Sequence, residues 1–265
     1  MDTIIFGDGP LGRAVASAIE ARGDPVRLVG RPPAGRHDPA GLAPIAVAIE
    51  ASRADAVRPN VEAALAAGCR RFILATTGWD PERGAVEAAL ARAGAAAVVA
   101  PNLSLGAALF FRIVERAAAL LGSTGAFEPY VLEWHRRSKR DRPSGTAREL
   151  VRRIESASRA AGAATGSPEA AGAVPELEVA VIRAGASPGM HLVGFDAPGE
   201  TIELRLTARD RSAYAAGALA AADWLTAAER RPGLHPFDEV VDDIVAPTAQ
   251  RPAPVDRPAV VAATA

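Results

Sequence analysis

Cysteine is almost missing from this chain: Cys69 is the only one in 265 residues. One thiol excludes an internal disulfide framework and any zinc site built on cysteines. It suits a reducing compartment, with Cys69 itself expected as a small buried hydrophobe. A surplus of charge is also missing, because 30 Lys and Arg stand against 31 Asp and Glu, for a formal net charge of -1. That balance argues against the basic field of a nucleic-acid binder and leaves a small molecule as the expected partner. No stretch is apolar for membrane-spanning length, and Met1 to Phe6 enters a strand-like run without a basic leader, so the chain reads as cytoplasmic. What is present is 49% hydrophobic residues, enough for one large core or two modest ones.

The first hundred residues alternate strand and helix signals. Thr3 to Phe6, Val26 to Val29, Ile45 to Ile49, Arg71 to Thr76 and Ala96 to Ala100 read as strands, with helices expected from Arg13 to Ala21, Val57 to Ala67 and Glu82 to Ala93. This rhythm predicts a parallel, doubly wound sheet. Beyond Ser104 it changes to a long helix from about Leu105 to Leu121, a strand through Tyr130 to Trp134, a helix from about Gly145, and strands at Leu177–Arg183, His191–Phe195 and Thr201–Thr207. Strand following strand predicts an antiparallel or mixed sheet inserted before a last helix at Ala213 to Ala228. The expected α/β organisation is a dinucleotide-binding domain of residues 1–103 plus 211–245. A substrate and oligomerisation domain of 104–210 is inserted in it, and residues 246–265 form a loose tail. An Ala/Gly-rich connection spans Ala160 to Ala173.

Between the first strand and helix lies Gly7-Asp8-Gly9-Pro10-Leu11-Gly12. Gly7 suits the tight bend, Gly9 lets backbone approach a pyrophosphate, and Gly12 allows close packing of a helix whose N-terminus, at Pro10 and Leu11, faces the phosphates. At the end of the second strand, where an acidic residue would hold a ribose hydroxyl, stands Gly30-Arg31. An Arg there can pair with a 2′-phosphate, so NADPH is expected ahead of NADH, with Arg13 assisting. Thr76-Thr77-Gly78 and Ala100-Pro101-Asn102, at the carboxyl ends of two strands, fall where such sheets line their ligand crevice.

The densest chemistry runs from Glu133 to Ala147, E-W-H-R-R-S-K-R-D-R-P-S-G-T-A, with one His, one Lys and four Arg. Thr146 with Glu149 three residues on predicts a capping box, which leaves the amides of Ser144 to Ala147 pointing outward. Those amides, with Lys139, Arg136 and Arg137, make an expected anion clamp for a carboxylate or phosphate, and His135 beside it is the expected proton donor. No metal is expected. His191 reads as structural or as a support behind the residues that meet substrate, His37 and His235 as loop residues, and Asp141 and Glu133 as residues that orient the loop.

Taken together these motifs resemble the 4-hydroxy-tetrahydrodipicolinate (dihydrodipicolinate) reductase family. The most specific match is E-x-H-x-x-x-K-x-D-x-P-S-G-T-A at Glu133 to Ala147. Ala75-Thr76-Thr77-Gly78 is similar to the family's G-T-T-G, and Pro101-Asn102-Leu103-Ser104-Leu105-Gly106 to its P-N-F-S-x-G. Arg183-x-Gly185, Gly189-x-His191 and Trp224-Leu225 continue the likeness. The resemblance implies a Rossmann-like domain, an inserted mixed-sheet domain that builds a homotetramer, and a hinge. It implies NAD(P)H as cofactor, held in part by Ala100, Pro101, Asn102 and Leu103, and a role in lysine and diaminopimelate biosynthesis. It also implies a small dicarboxylate substrate, with His135 as proton donor, Lys139 as the group that holds or polarises substrate, and Ser144, Gly145 and Thr146 as carboxylate binders.

The chain departs from the family at the second loop His, here Arg136; in a glycine turn one residue shorter; in Glu50-Ala51-Ser52 where the family has D-F-T; and in Leu206, where it has a His. Arg136 keeps a donor and adds permanent charge, which opens a second reading: reduction of another cyclic imine or carboxylated substrate. A third is a non-catalytic NADPH-binding protein.

Overall fold

The computed structural model describes residues 1–32, 37–100, 102–165 and 177–246. The chain divides into two compact units, Met1–Leu103 with Tyr214–Ala265, and Ser104–Ala213.

The first unit begins with β1 (Thr3–Phe6), α1 (Pro10–Glu20), β2 (Val26–Val29), β3 (Val47–Glu50), α2 (Val57–Ala66), β4 (Arg71–Leu74), α3 (Arg83–Ala93) and β5 (Ala96–Val99). β1 and β3 are buried at every position, the pattern of central parallel strands and the reason they read as unbroken runs. α1 starts three residues before the expected Arg13. Pro10 occupies its first turn, where a preset φ helps and the missing N–H costs nothing. The third strand lies later than the expected Ile45–Ile49, and its last residue, Glu50, is buried.

The second unit comprises α4 (Leu105–Gly122), β6 (Glu128–His135), α5 (Gly145–Thr165), β7 (Glu178–Arg183), β8 (Met190–Ala197) and β9 (Glu200–Thr207). Ser104 caps α4 by accepting the Ala107 amide at 3.2 Å. The sheet order is β7-β6-β8-β9, with β6 and β7 parallel and the other pairs antiparallel. Its core joins Val131, Val193 and Phe195 to Phe110 and Val114 of α4 and to Leu150 and Ile154 of α5. Val131, Glu133 and His135 are buried at alternate positions of β6, so all three point to that inner face. On the other face Tyr130 lies across Gly194, where an added Cβ would come within 2.1 Å of the ring. Helix α5 continues through residues 160–165 of the expected Ala/Gly-rich connection; the rest of that stretch, and residues 247–265 of the expected tail, lie outside the described residues.

The chain then returns to the first unit with α6 (Ser212–Ala227), β10 (Gly233–Pro236) and α7 (Phe237–Val245). α6 is therefore not the last helix, contrary to expectation. β10 is short and ends in Pro, which hides it from a periodicity reading, whereas Phe237, Val240 and Val241 of α7 are buried at helical spacing. All strands of the resulting six-stranded sheet are parallel, in the order β10-β5-β4-β3-β1-β2. This is a doubly wound sheet whose order reverses between β1 and β3, the position at which such sheets open a ligand crevice. Gly7 follows β1 and Glu50 ends β3, so both stand at that switch point. His235, expected in a loop, is a buried residue of β10, with Nδ1 2.6 Å from Glu239 and Nε2 2.8 Å from the Arg231 carbonyl.

Candidate functional site

At the switch point of the first unit, two glycines are demanded by the fold. Gly7 has φ +109°, and a Cβ there would lie 2.5 Å from the Ala51 carbonyl oxygen; a Cβ on Gly12 would lie 2.0 Å from the Gly7 oxygen. Gly9 differs. A Cβ there meets nothing within 4 Å, so internal packing gives no reason for a glycine between the other two. Past Pro10, which has no N–H, the amides of Leu11 and Gly12 open α1, and no acidic residue stands in its first turn. Arg31 is exposed beyond β2, while Arg13 donates to the Asp8 carbonyl at 2.6 Å. Thr76 Oγ1 lies 3.2 Å from the Glu50 carboxylate, Thr77 is exposed, and Gly78 has φ +81°. Ala100 and Leu103 are buried, the Ala100 amide donates to the Leu74 carbonyl at 3.1 Å, and Asn102 is half-buried. Pro101 lies outside the described residues. Cys69 is buried and unpaired, and burial pushes its thiol up to about 11, so it is inert as a nucleophile.

Glu50 is the unexpected group here. Its Oε1 accepts from the Ser52 amide at 2.9 Å and from the Ser52 hydroxyl, and its Oε2 accepts from Asn60 Nδ2 at 2.7 Å. All its donors are neutral. Burial therefore prevails over these hydrogen bonds and raises the carboxyl above its ordinary range.

In the second unit the register of the sheet builds a tighter cluster. Glu133 on β6 is the direct antiparallel partner of His191 on β8, and His135, two residues on, is the parallel partner of Arg183 on β7. All four are buried. Glu133 Oε1 accepts from Arg183 Nη2 at 2.6 Å and from the Ser144 amide at 3.0 Å. The other oxygen, Oε2, lies 3.4 Å from His135 Nε2 and 3.6 Å from His191 Nε2, and has no hydrogen-bond partner among the described residues. The two Nε2 atoms are 3.3 Å apart, and Ser144 Oγ lies 3.2 Å from that of His191. Gly189, with φ +151°, leaves room for the His135 ring, since a Cβ there would come within 2.8 Å of Cε1. Burial alone would raise the Glu133 carboxyl, but the His191 ring beside it and the hydrogen bonds from Ser144 and Arg183 hold it well below the usual carboxylate range. Burial lowers His135, and the nearby His191 lowers it further.

The start of α5 corrects the expected capping box. Ser144, not Thr146, caps the helix, with its Oγ accepting the Ala147 amide at 3.1 Å, while Glu149 pairs with Arg152 and Arg153. The amides of Ser144 and Ala147 are thus engaged, and those of Gly145 and Thr146 have no acceptor among the described residues. Lys139 Nζ lies 2.8 Å from Asp141, whose carbonyl accepts from Arg183 at 2.6 Å. Arg136 is exposed, its Nε donating to Ser138 Oγ at 3.2 Å and its amide to the Ser187 carbonyl at 2.7 Å. The structure therefore gathers His135 with Ser144, and leaves Lys139 and Arg136 engaged on the loop. The residues that sequence reasoning undervalued are Glu133, Arg183 and His191. A signal was available, since E-x-H on a strand puts both side chains on one face. Another was that Lys139 is the only lysine among 30 Lys and Arg residues.

Among the described residues no helix is long and apolar enough to cross a membrane. Residues 106–241 match the family model described as dihydrodipicolinate reductase, C-terminus. A 4-hydroxy-tetrahydrodipicolinate reductase of Methanococcoides burtonii is 33% identical over 196 residues, 74% of this chain and 72% of that protein. One from Myxococcus xanthus is 37% identical over 206 residues, 73% of this chain and 74% of its own. The solved dipicolinate-bound dihydrodipicolinate reductase from Paenisporosarcina sp. TG-14 shares the fold, with a TM-score of 0.67 at 16% identity over 89% of this chain and 97% of that one. With a conserved-fold likeness and relatives of this identity spanning three-quarters of its length, the chain belongs to the dihydrodipicolinate reductase family of oxidoreductases.

Proposed function

We propose that this protein catalyses the NAD(P)H-dependent reduction of 4-hydroxy-tetrahydrodipicolinate to tetrahydrodipicolinate, a step of lysine and diaminopimelate biosynthesis. The observation that carries the reading is the inward pair Glu133 and His135 with Ser144 at the head of α5, in a chain whose relatives at 33% and 37% identity bear that name. The substrate's hydroxyl leaves as water, so the net reaction takes one hydride from the cofactor and one proton. His135 supplies the proton, and Glu133 and His191 hold its ring. Gly145 and Thr146 offer their amides to a substrate carboxylate, with Lys139 adding charge at the loop.

The first unit is the dinucleotide-binding part in this reading. Gly9 is a glycine with empty space around its Cα, which suits the approach of a pyrophosphate rather than packing. NADPH is the preferred cofactor, supported by the exposed Arg31 after β2. The second unit also assembles a homotetramer, supported by exposed Trp134 and Ile182, which are register partners on the outer face of β6 and β7. The enzyme is cytoplasmic, in keeping with its one free and buried cysteine.

Purified protein assayed with NADPH and enzymatically generated 4-hydroxy-tetrahydrodipicolinate should oxidise the cofactor. Tight NADPH binding without oxidation would instead favour a different carboxylated imine, a substrate change that the exposed Arg136 could bring about.

A further inference from the structure

Three atoms able to ligate a metal converge on the inner face of the four-stranded sheet. His135 Nε2, His191 Nε2 and Glu133 Oε2 form a triangle with edges of 3.3, 3.4 and 3.6 Å. Hydrogen bonding accounts for it poorly. A charge-assisted N–H···O bond closes to about 2.7–2.9 Å, whereas Oε2 is buried at a longer distance from both rings and has no hydrogen-bond partner among the described residues. A tetrahedral ion bonded at about 2.0–2.1 Å holds its ligands about 3.3–3.4 Å apart, which is the size of this triangle.

We propose that Glu133, His135 and His191 form a site for zinc or a similar imidazole-seeking divalent ion, and that its occupation withdraws His135 from proton transfer and so inhibits the enzyme. The inhibitory half rests on the functional reading above; the binding half does not.

The sheet prepares the site before any ion arrives. Glu133 and His191 are held opposite each other by the β6 and β8 register, and His135 follows on the same face. Arg183 and the Ser144 amide engage Oε1 and leave Oε2 turned to the two rings. The guanidinium opposes any cation, and the ion must therefore gain strongly from nitrogen ligands. That excludes Mg²⁺ and Ca²⁺, which prefer oxygen shells, and favours zinc, for which two imidazoles and a carboxylate with an open fourth position are a familiar set.

The 265-residue chain, stripped with a chelator and titrated with zinc sulfate, should take up one equivalent. X-ray absorption should then show two imidazoles and a carboxylate oxygen around the ion. His191→Ala should weaken uptake at least about tenfold, as loss of a ligand does, with its circular dichroism unchanged. Equal zinc affinity in wild type and His191→Ala, a shell containing sulfur, or one with fewer than two imidazoles overturns the site. The absorption experiment uses wild-type protein alone and decides the matter even where the variant fails to fold. One equivalent bound in this shell by a protein without reductase activity keeps the site and removes the functional reading. An active enzyme indifferent to bound zinc overturns the inhibitory half.

Discussion

Each unit buries a glutamate near the end of a strand, and the two behave in opposite ways. Glu50 closes β3 among Ser52, Asn60 and Thr76, all neutral donors, and burial raises its carboxyl. Glu133 sits in β6 against Arg183, two histidines and the Ser144 amide, and its carboxyl is held well down. Both are almost fully buried, at 1% and 0% exposure. Burial alone therefore does not set the protonation of a carboxylate; the charge of the groups brought within hydrogen-bonding distance does. The first unit keeps at its switch point an acid whose carboxyl is raised, and the second keeps one held low beside an imidazole.

Breaking the charged side of this contrast should have the largest effect. Glu133→Gln leaves Arg183 buried without its counter-charge, and urea unfolding should show a loss of about 3–5 kcal/mol. A loss under 1 kcal/mol would mean that Arg183 finds other partners and that Glu133 does not hold the cluster together.

The next test separates structure from chemistry within the same cluster. His135→Gln should lower turnover by about a hundredfold or more, the usual range for removing a general acid, while NADPH binding is kept. Turnover near that of wild type would place the proton donor elsewhere.

Lys139 lies outside the buried cluster and should act mainly on binding. Lys139→Ala is expected to raise KM about tenfold with a smaller change in kcat, as expected when ground-state and transition-state binding fall together. Lys139→Arg should not restore it, because a planar fork cannot replace a compact ammonium already aligned with Asp141. Full rescue by Arg would reduce Lys139 to a generic positive charge.

The smallest effect belongs to Glu50. Burial raises the Glu50 carboxyl above its unfolded value, so its contribution to stability is complete below the ordinary carboxylate range and declines as pH rises through the raised folded value. Glu50→Gln should flatten that part of the stability profile and be neutral or mildly stabilising at neutral pH. A profile unchanged by the substitution would show that Glu50 is ionised in the fold and that its contrast with Glu133 is mistaken.

Much of the fold was legible locally. β1 falls where the apolar run predicts it, because fully buried parallel strands advertise themselves as short unbroken stretches, and the edge strand β2, half exposed, also falls at the expected Val26–Val29. The start of α5 at Gly145 was also readable, although its cap was misassigned: Ser144 and Thr146 are both plausible caps in sequence, and only the position of Ala147 above Ser144 Oγ selects the first. The E-x-H spacing placed Glu133 and His135 on one face. Nothing local could reveal that His191 and Arg183, 56 and 48 residues beyond His135, would be their partners. A shift of one residue in either pairing would turn both side chains to the opposite face.

By itself the sequence determined the order of strands and helices as far as α6, the glycine turn after β1 and the cationic loop before α5, since each depends on residues close along the chain. The tertiary structure alone decided which carboxyl is raised and which is held low, which way Lys139 turns and what surrounds His135. Those outcomes depend on electrostatic interactions across short distances in a water-poor interior, and strand register sets those distances between residues far apart in the chain.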